Sequence, residues 1–404
     1  MRIALITARN PLASAADMSG QPAFLARALA RQGHRVTIYA RQDGTASAGV
    51  MGRGVGFEQV PAGPARQLSA EQVARHMPAL SAHCVARWQS EVPDVVHAFG
   101  WASGLAALGA ARETEVPVVQ TFGSLAAAER KAGFAVSASR LRLETLIGRK
   151  AAAVLACSSE EAAELAQLGV RRSAIRVIPC GVDTEQFSPL GDEAGRGPRV
   201  RLVAMTPAAP RGLETVIRAL AQVPEAELVI VGGPDSRHLP RTGPFRELAR
   251  LAGELRMRSR VKFAGTMRPA ALAALLRSAH LLVSASAYEP TGLPAIQAMA
   301  CGTPVVAAAV GGQRDAVIDG TTGLLITREH LGTLAPRLRR LLATPALLAA
   351  YGIAAADRAA SRYSWERIAS ETTSAYERCL PGHAVEELAE AEEFAELEAM
   401  AMSS

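Results

Sequence analysis

Short, nearly continuous apolar runs recur along the chain, each followed by a stretch whose apolar positions fall at helical spacing. In the first half the runs are RIALIT, RVTIYA, DVVHAF, VPVVQTF, AAVLACS and RVIPC. Such runs predict strands buried on both faces, and the periodic stretches between them predict helices. One helix is expected over 21–32, stopped by Gly33, and another from Ala102. A third covers 137–149, and a fourth follows Ser158 and Ser159, whose hydroxyls suit a cap ahead of Glu160 and Glu161. Between 183 and 199 the alternation lapses into Pro, Gly and acidic residues, the composition of a linker. It resumes with VRLVAM, AELVIVG, RVKFAG and HLLVSAS, separated by expected helices at 213–222, 244–255 and 269–277. After Leu324 the sequence reads as helical. The fold class predicted is α/β, with two doubly wound Rossmann-like domains at 1–182 and 200–362 and ligand space beyond the carboxyl ends of their strands.

Composition narrows the class. A chain of 404 residues, 49% hydrophobic and 20% charged, has the make-up of a globular protein with more than one domain. Cys84, Cys157, Cys180, Cys301 and Cys379 lie far apart without a C-x-x-C pair, which speaks against a zinc site or a disulfide framework and fits a reducing compartment. Met1 and Arg2 lead straight into a strand pattern rather than a signal peptide, and no apolar run is long enough to span a bilayer. A cytoplasmic protein is expected.

The net charge of +6 is uneven. Residues 381–404 carry seven glutamates and no Lys or Arg, leaving 44 basic residues against 31 acidic ones, a net +13, for the rest. A basic body favours acidic substrates or peripheral contact with an anionic membrane. Nucleic acid is not expected, because no basic patch is interleaved with aromatics. Nearly all the cations are Arg amid abundant Ala, so compositional bias is the plainer account. The acidic tail, 381–404, reads as a solvated segment, with a partner-binding helix as the alternative.

The chemistry concentrates in 289–323, EPTGLPAIQAMACGTPVVAAAVGGQRDAVIDGTTG. Pro290, Thr291 and Gly292 favour a bend after the Glu289 carboxylate. A short helix is expected next, with Pro294 at its first position and Gly302 as the left-handed residue that ends it. Residues 304–309 read as a buried strand closed by a Gly311–Gly312 turn. A helix opening behind a glycine turn points unpaired backbone N–H groups forward, and such ends bind phosphate. Glu289 beside that end can accept hydrogen bonds from hydroxyls on the same ligand. Phosphate recognition next to a hydroxyl acceptor suggests a nucleotide-sugar site.

This segment resembles the donor site of the family 4 retaining glycosyltransferases, whose two-domain fold is called GT-B. Their pattern E-P-F-G-x-x-x-x-E-A-M-A-x-G-x-P-V-V is matched at Glu289, Pro290, Gly292, Ala298, Met299, Ala300, Gly302, Pro304, Val305 and Val306, with Gln297 where the second glutamate stands. The resemblance covers roughly 1–380 and implies a donor on the second domain and an acceptor mostly against the first. YSWERIASETTSAYERCL, 363–380, resembles the closing helix that crosses back to the first domain, with Trp365 as its anchor.

Carried over residue by residue, the resemblance places Ser19 and Gly20 at the family's double glycine after the first strand. PDVVHAFGWASGL keeps His97 as an acceptor contact or, equally, an interior hydrogen-bonded histidine, with Trp101 further along on the acceptor side. VPVVQTFGSL has Gly123 where the family's histidine reaches the donor sugar, and Cys180 replaces a usual asparagine. In G-R-L-x-x-x-K-G, which grips the diphosphate, Arg211 takes the lysine position and Thr206 the arginine position. An arginine fork still matches phosphate, but Thr206 brings no charge. One of two charge-assisted contacts, each worth about 1.5–3 kcal/mol, is therefore lost. GTMRP, with Met267 and Arg268, resembles the loop lining the nucleotide base, and Arg268 is the candidate to replace the lost cation. Gln297 offers ribose one neutral acceptor oxygen in place of a charged one, so binding weakens without being abolished.

The function implied is a retaining glycosyltransferase that moves a sugar from a nucleotide-diphosphate sugar to a small-molecule, glycan or lipid-linked acceptor. Glu289, Arg211 and His97 are the catalytic candidates. Arg211 and the helix start at Gly292 and Leu293 would neutralise the leaving diphosphate, and Glu289, with Thr291 beside it, would orient the sugar. No metal and no cofactor beyond the co-substrate is called for. One alternative is a degenerate homologue that binds a sugar, nucleotide or partner without turnover, which the departures at Thr206, Gly123 and Gln297 suggest. Another is a different GT-B activity such as sugar-nucleotide epimerisation. A dinucleotide dehydrogenase is disfavoured, because GRGVG at 52–56 lacks the required spacing and follows no clear strand.

Overall fold

The structure is a computed structural model that describes residues 1–12, 18–45, 51–206, 212–238 and 243–380. The apolar runs of the first half become β1 Arg2–Thr7, β2 Arg35–Arg41, β3 Val55–Val60, β4 Val95–Phe99, β5 Val118–Thr121, β6 Ala153–Ala156 and β7 Ile175–Val177. Those of the second half become β8 Val200–Met205, β9 Ala226–Val231, β10 Val261–Gly265, β11 Leu281–Ser284, β12 Val305–Ala308 and β13 Gly323–Ile326. They form two sheets, ordered β3-β2-β1-β4-β5-β6-β7 and β10-β9-β8-β11-β12-β13. Neighbouring strands run parallel, as β1 does with both β2 and β4, and β11 with both β8 and β12. Helices cover both faces, which is why central residues such as Leu5, Ile6, Val119, Leu282 and Val306 are buried whichever way they point.

Each sheet reverses its strand order once, between β1 and β4 in the first and between β8 and β11 in the second. Successive crossovers leave such a point in opposite directions and open a crevice beyond the carboxyl ends of the strands.

Local sequence accounts for most helix ends. Gly33, at φ +89°, follows the helix Gln21–Arg31. Ser137 caps Ala138–Lys150, and the Ser158 hydroxyl accepts from the Glu161 N–H at 3.2 Å to cap Ser159–Gln167. Three expectations are corrected. Gly311 and Gly312 open a helix, Gly311–Ala316, instead of forming a turn. Strand β13 lies at the start of the segment read as helical, too short to show a period of its own. Pro294 takes the second position of the helix Leu293–Ala300, still within the turn that needs no N–H.

The helix Trp365–Glu377 lies against Gln21–Arg31 of the first half. The Trp365 indole stacks on Phe24 with ring centroids 5.7 Å apart and 7° between planes. Gly181 faces the same indole so closely that a Cβ there would come within 2.6 Å of it. A second connection joins the halves by exchanged helix caps. The Ser159 N–H donates to Asp315 at 2.6 Å, and the Gly311 N–H donates to Glu160 at 2.7 Å, so each carboxylate sits at the N-terminus of the opposite helix. The acidic tail, 381–404, lies outside the described residues. Among the described residues no helix is long and apolar enough to cross a membrane.

Candidate active-site cleft

A cleft of about 500 Å³ opens where the two crevices face each other. Thr7, Phe99 and Thr121 reach it from the ends of β1, β4 and β5, and Met205 and Ser284 from the ends of β8 and β11. Its walls include Ser19, Trp101, Gly123, Thr206, Glu289 and Thr291. Six of the residues picked out from the sequence, drawn from both halves, thus share one cavity.

Glu289 is only 7% exposed and lines this cleft. Its Oε1 accepts from the Thr291 hydroxyl at 3.2 Å, and the backbone of Thr291 and Gly292 lies beside the carboxylate. Burial pushes its pKa above the usual carboxylate value, and the Thr291 hydroxyl and the neighbouring backbone hold the rise in check. The turn is fixed by close packing between backbones. Gly312 donates its N–H to the Glu289 carbonyl at 2.9 Å, and a Cβ on Gly312 would lie 2.1 Å from the Thr291 carbonyl carbon. That contact, rather than a turn, is what the Gly311–Gly312 pair makes possible.

The amides expected to be open at the helix start are partly engaged by the chain itself. The Leu293 N–H donates to the Thr291 hydroxyl at 3.3 Å, and the Gly292 backbone lies beside the Glu289 carboxylate. The anion at this helix N-terminus is therefore the chain's own carboxylate. Gly292 and Leu293 lie behind the cleft surface, with Leu293 packed on Cys157 and Cys180 of the first half. Gln297, one turn along the helix, is 2% exposed and likewise does not line the cleft.

Other residues fall away from the cavity. His97 is 1% exposed, with Nδ1 hydrogen-bonded to the Tyr376 hydroxyl at 2.6 Å and Nε2 to the Thr121 hydroxyl at 2.8 Å. Burial lowers its pKa to about 3, so the ring is neutral. It ties the crossing helix to Thr121 at the cleft wall, which is the interior alternative rather than direct contact. Gly20 has an ordinary φ of −79° and lies beneath Ser19, which lines the cleft. Met267 is half-buried and Arg268 exposed, both after β10 and outside the cleft lining. Thr206 lines the cleft, but its buried hydroxyl has no hydrogen-bond partner among the described residues. Arg211 lies outside the described residues.

Three further groups shape the site. Gly123 holds φ +72°, a conformation other residues adopt only with strain, and its backbone lies beside the buried carboxylate of Glu161. Glu161 also accepts from the Cys157 N–H at 2.6 Å. The third group is the pair of Glu129 and Arg140, both in the cleft wall. Only the spacing of Arg140 to Glu144 on one helix hinted at this cluster; Glu129 joins it through tertiary folding.

Burial pushes the Glu161 pKa up from the usual 4.5 to about 7. The folded state then binds the proton more tightly than the unfolded chain. The stability this contributes is present at low pH and is lost as pH rises from about 4.5 through 7. A shift of that size is worth roughly 3 kcal/mol. Urea unfolding at pH 5 and pH 8 should show the wild type losing stability on that scale relative to Glu161→Gln. Parallel pH curves for the two proteins would refute the assignment.

Two family models match the chain, Glycosyltransferase Family 4 over residues 23–186 and Glycosyl transferases group 1 over residues 203–358. Among curated relatives, the D-inositol 3-phosphate glycosyltransferase of Nocardiopsis dassonvillei is 32% identical over 382 residues, 88% of each chain. That of Mycolicibacterium smegmatis is 31% identical over 403 residues, covering 94% of this chain and 91% of the relative. Among solved structures, sucrose-phosphate synthase from Thermosynechococcus elongatus superposes with a TM-score of 0.83 at 28% identity, over 93% of this chain and 98% of that one. Anabaena HepE in complex with UDP and glucose gives 0.72 at 21% identity over 93% and 98%, a likeness of fold. Matched in both halves and built on the same pair of facing crevices, the chain belongs to the family 4, group 1 glycosyltransferases, enzymes of the GT-B fold.

Proposed function

We propose that the protein transfers a sugar from a nucleoside diphosphate sugar to an acceptor hydroxyl, with retention of anomeric configuration. The observation that carries this reading is the buried Glu289 carboxylate at the wall of a cleft formed where both strand orders reverse. Its oxygens suit sugar hydroxyls, which would replace the Thr291 hydroxyl as donors. The names of the curated relatives, and the UDP-glucose bound to HepE, support a donor of this class.

In the step proposed, the bond between the anomeric carbon and the diphosphate oxygen breaks. The acceptor oxygen bonds to that carbon on the same face, and its proton passes to the departing diphosphate. No side chain is asked to act as nucleophile. The protein's task is to hold the donor and neutralise the leaving group. Because the Leu293 amide is already engaged by Thr291, that charge falls first on Arg211, with Arg268 as a second cation.

A panel of UDP-, GDP- and dTDP-linked sugars tests this by thermal shift and donor hydrolysis together. One base should stabilise the protein and be hydrolysed, and Arg211→Ala should lower that turnover by about 10²-fold or more. If no donor binds, the activity assignment fails; an inverted product anomer by NMR would remove retention alone.

A further inference from the structure

The acceptor side of the cleft has its own chemistry, and an inference about it rests on reading the cavity as a glycosyl-transfer site. Arg140 is 13% exposed, yet its guanidinium fork is already closed by the protein. Nη1 and Nη2 donate to the two oxygens of Glu129 at 2.7 and 2.9 Å, and Nε donates to Glu144 at 2.7 Å. Nη2 also reaches the Ser124 hydroxyl at 3.3 Å. Glu144 is fully buried and accepts in addition from the Ala126 N–H at 2.7 Å. Two carboxyl groups therefore surround one cation, and the cluster presents no net positive charge whether or not Glu144 is ionised. An arginine held bidentate by a carboxylate has its phosphate-matching face occupied.

Apolar side chains line the same cleft. Leu68, Ala70, Val73, Trp101 and Phe134 line it, and the Phe134 ring meets Tyr288 edge-on with centroids 6.0 Å apart. The other cation among the described lining residues, Arg9, is exposed to water on the loop after β1, where its charge is screened.

We propose that the acceptor is an uncharged molecule with an apolar portion beside its reacting hydroxyl, an alkyl or aryl glycoside or similar aglycone rather than a phosphate ester. Glu129 is the residue that sets this preference, by occupying the Arg140 fork. The apolar portion would pack on Trp101 and Phe134, and a phosphate would meet an Arg140 fork already filled by Glu129.

The test uses the full chain with whichever donor it hydrolyses. Octyl β-D-glucopyranoside, myo-inositol and myo-inositol 3-phosphate are compared at equal concentration, with transfer read by mass spectrometry and donor hydrolysis followed alongside. Octyl glucoside should exceed both inositols in kcat/KM by about tenfold or more. Glu129→Gln, which releases the Arg140 fork, should move the ratio of phosphate-ester to alkyl-glycoside transfer upward by about tenfold. Preference of the wild type for the phosphate ester overturns the proposal, and that comparison decides the matter even if the variant fails to fold. Donor hydrolysis with transfer to none of the acceptors rejects the acceptor class while leaving the glycosyl-transfer reading standing. Loss of donor turnover altogether rejects both.

Discussion

Glu289→Gln is expected to lower kcat/KM for sugar transfer by about 10²–10³-fold with little change in melting temperature. The side chain is nearly isosteric, so the turn locked against Gly312 should persist. What is lost is a charged acceptor for sugar hydroxyls, in a buried setting where charge strengthens a hydrogen bond most. A second signature follows from its raised pKa. The carboxylate is the competent form, so activity should rise with pH along a limb placed above the ordinary carboxylate range. That limb should vanish in the variant. Steady-state kinetics across pH measure both effects, and wild-type turnover in Glu289→Gln would remove Glu289 from the mechanism.

Trp365→Ala should destabilise the protein by about 3–5 kcal/mol, the usual cost of deleting a buried tryptophan. Its ring fills the space between Phe24 and Gly181, so the cavity cannot close without moving the crossing helix. The same helix carries Tyr376, whose hydroxyl holds His97 against Thr121 at the cleft wall. Loss of stability should therefore come with a rise in KM, and Trp365→Phe should recover most of both. Urea unfolding with an unchanged m-value checks the first part. A loss below about 1 kcal/mol would mean the helix is anchored elsewhere.

Much of the architecture was readable because buried parallel strands and capped helices are local signals. VRLVAM and HLLVSAS became β8 and β11, which meet at the second reversal, and Ser158 caps its helix as expected. The site was readable where one residue type answers one need. Glu289 reaches the cleft because the bend after it is encoded beside it. It was not readable where a neighbour distant in sequence intervenes. The amides of Gly292 and Leu293 were expected to be open, but the Thr291 hydroxyl folds back onto that of Leu293. His97 had two candidate roles, and Tyr376 and Thr121 selected between them.

The sequence by itself determined the two α/β halves and the family, since apolar periodicity and a dense linear motif need no partner to be recognised. Only tertiary structure decided which charges remain available. Arg140 is neutralised by a glutamate on another helix, Glu161 is driven toward neutral pH by burial, and the helix N-terminus is filled by the chain itself. The reason is physical: pairing and desolvation depend on distances between residues far apart in the chain, and those distances exist only after folding.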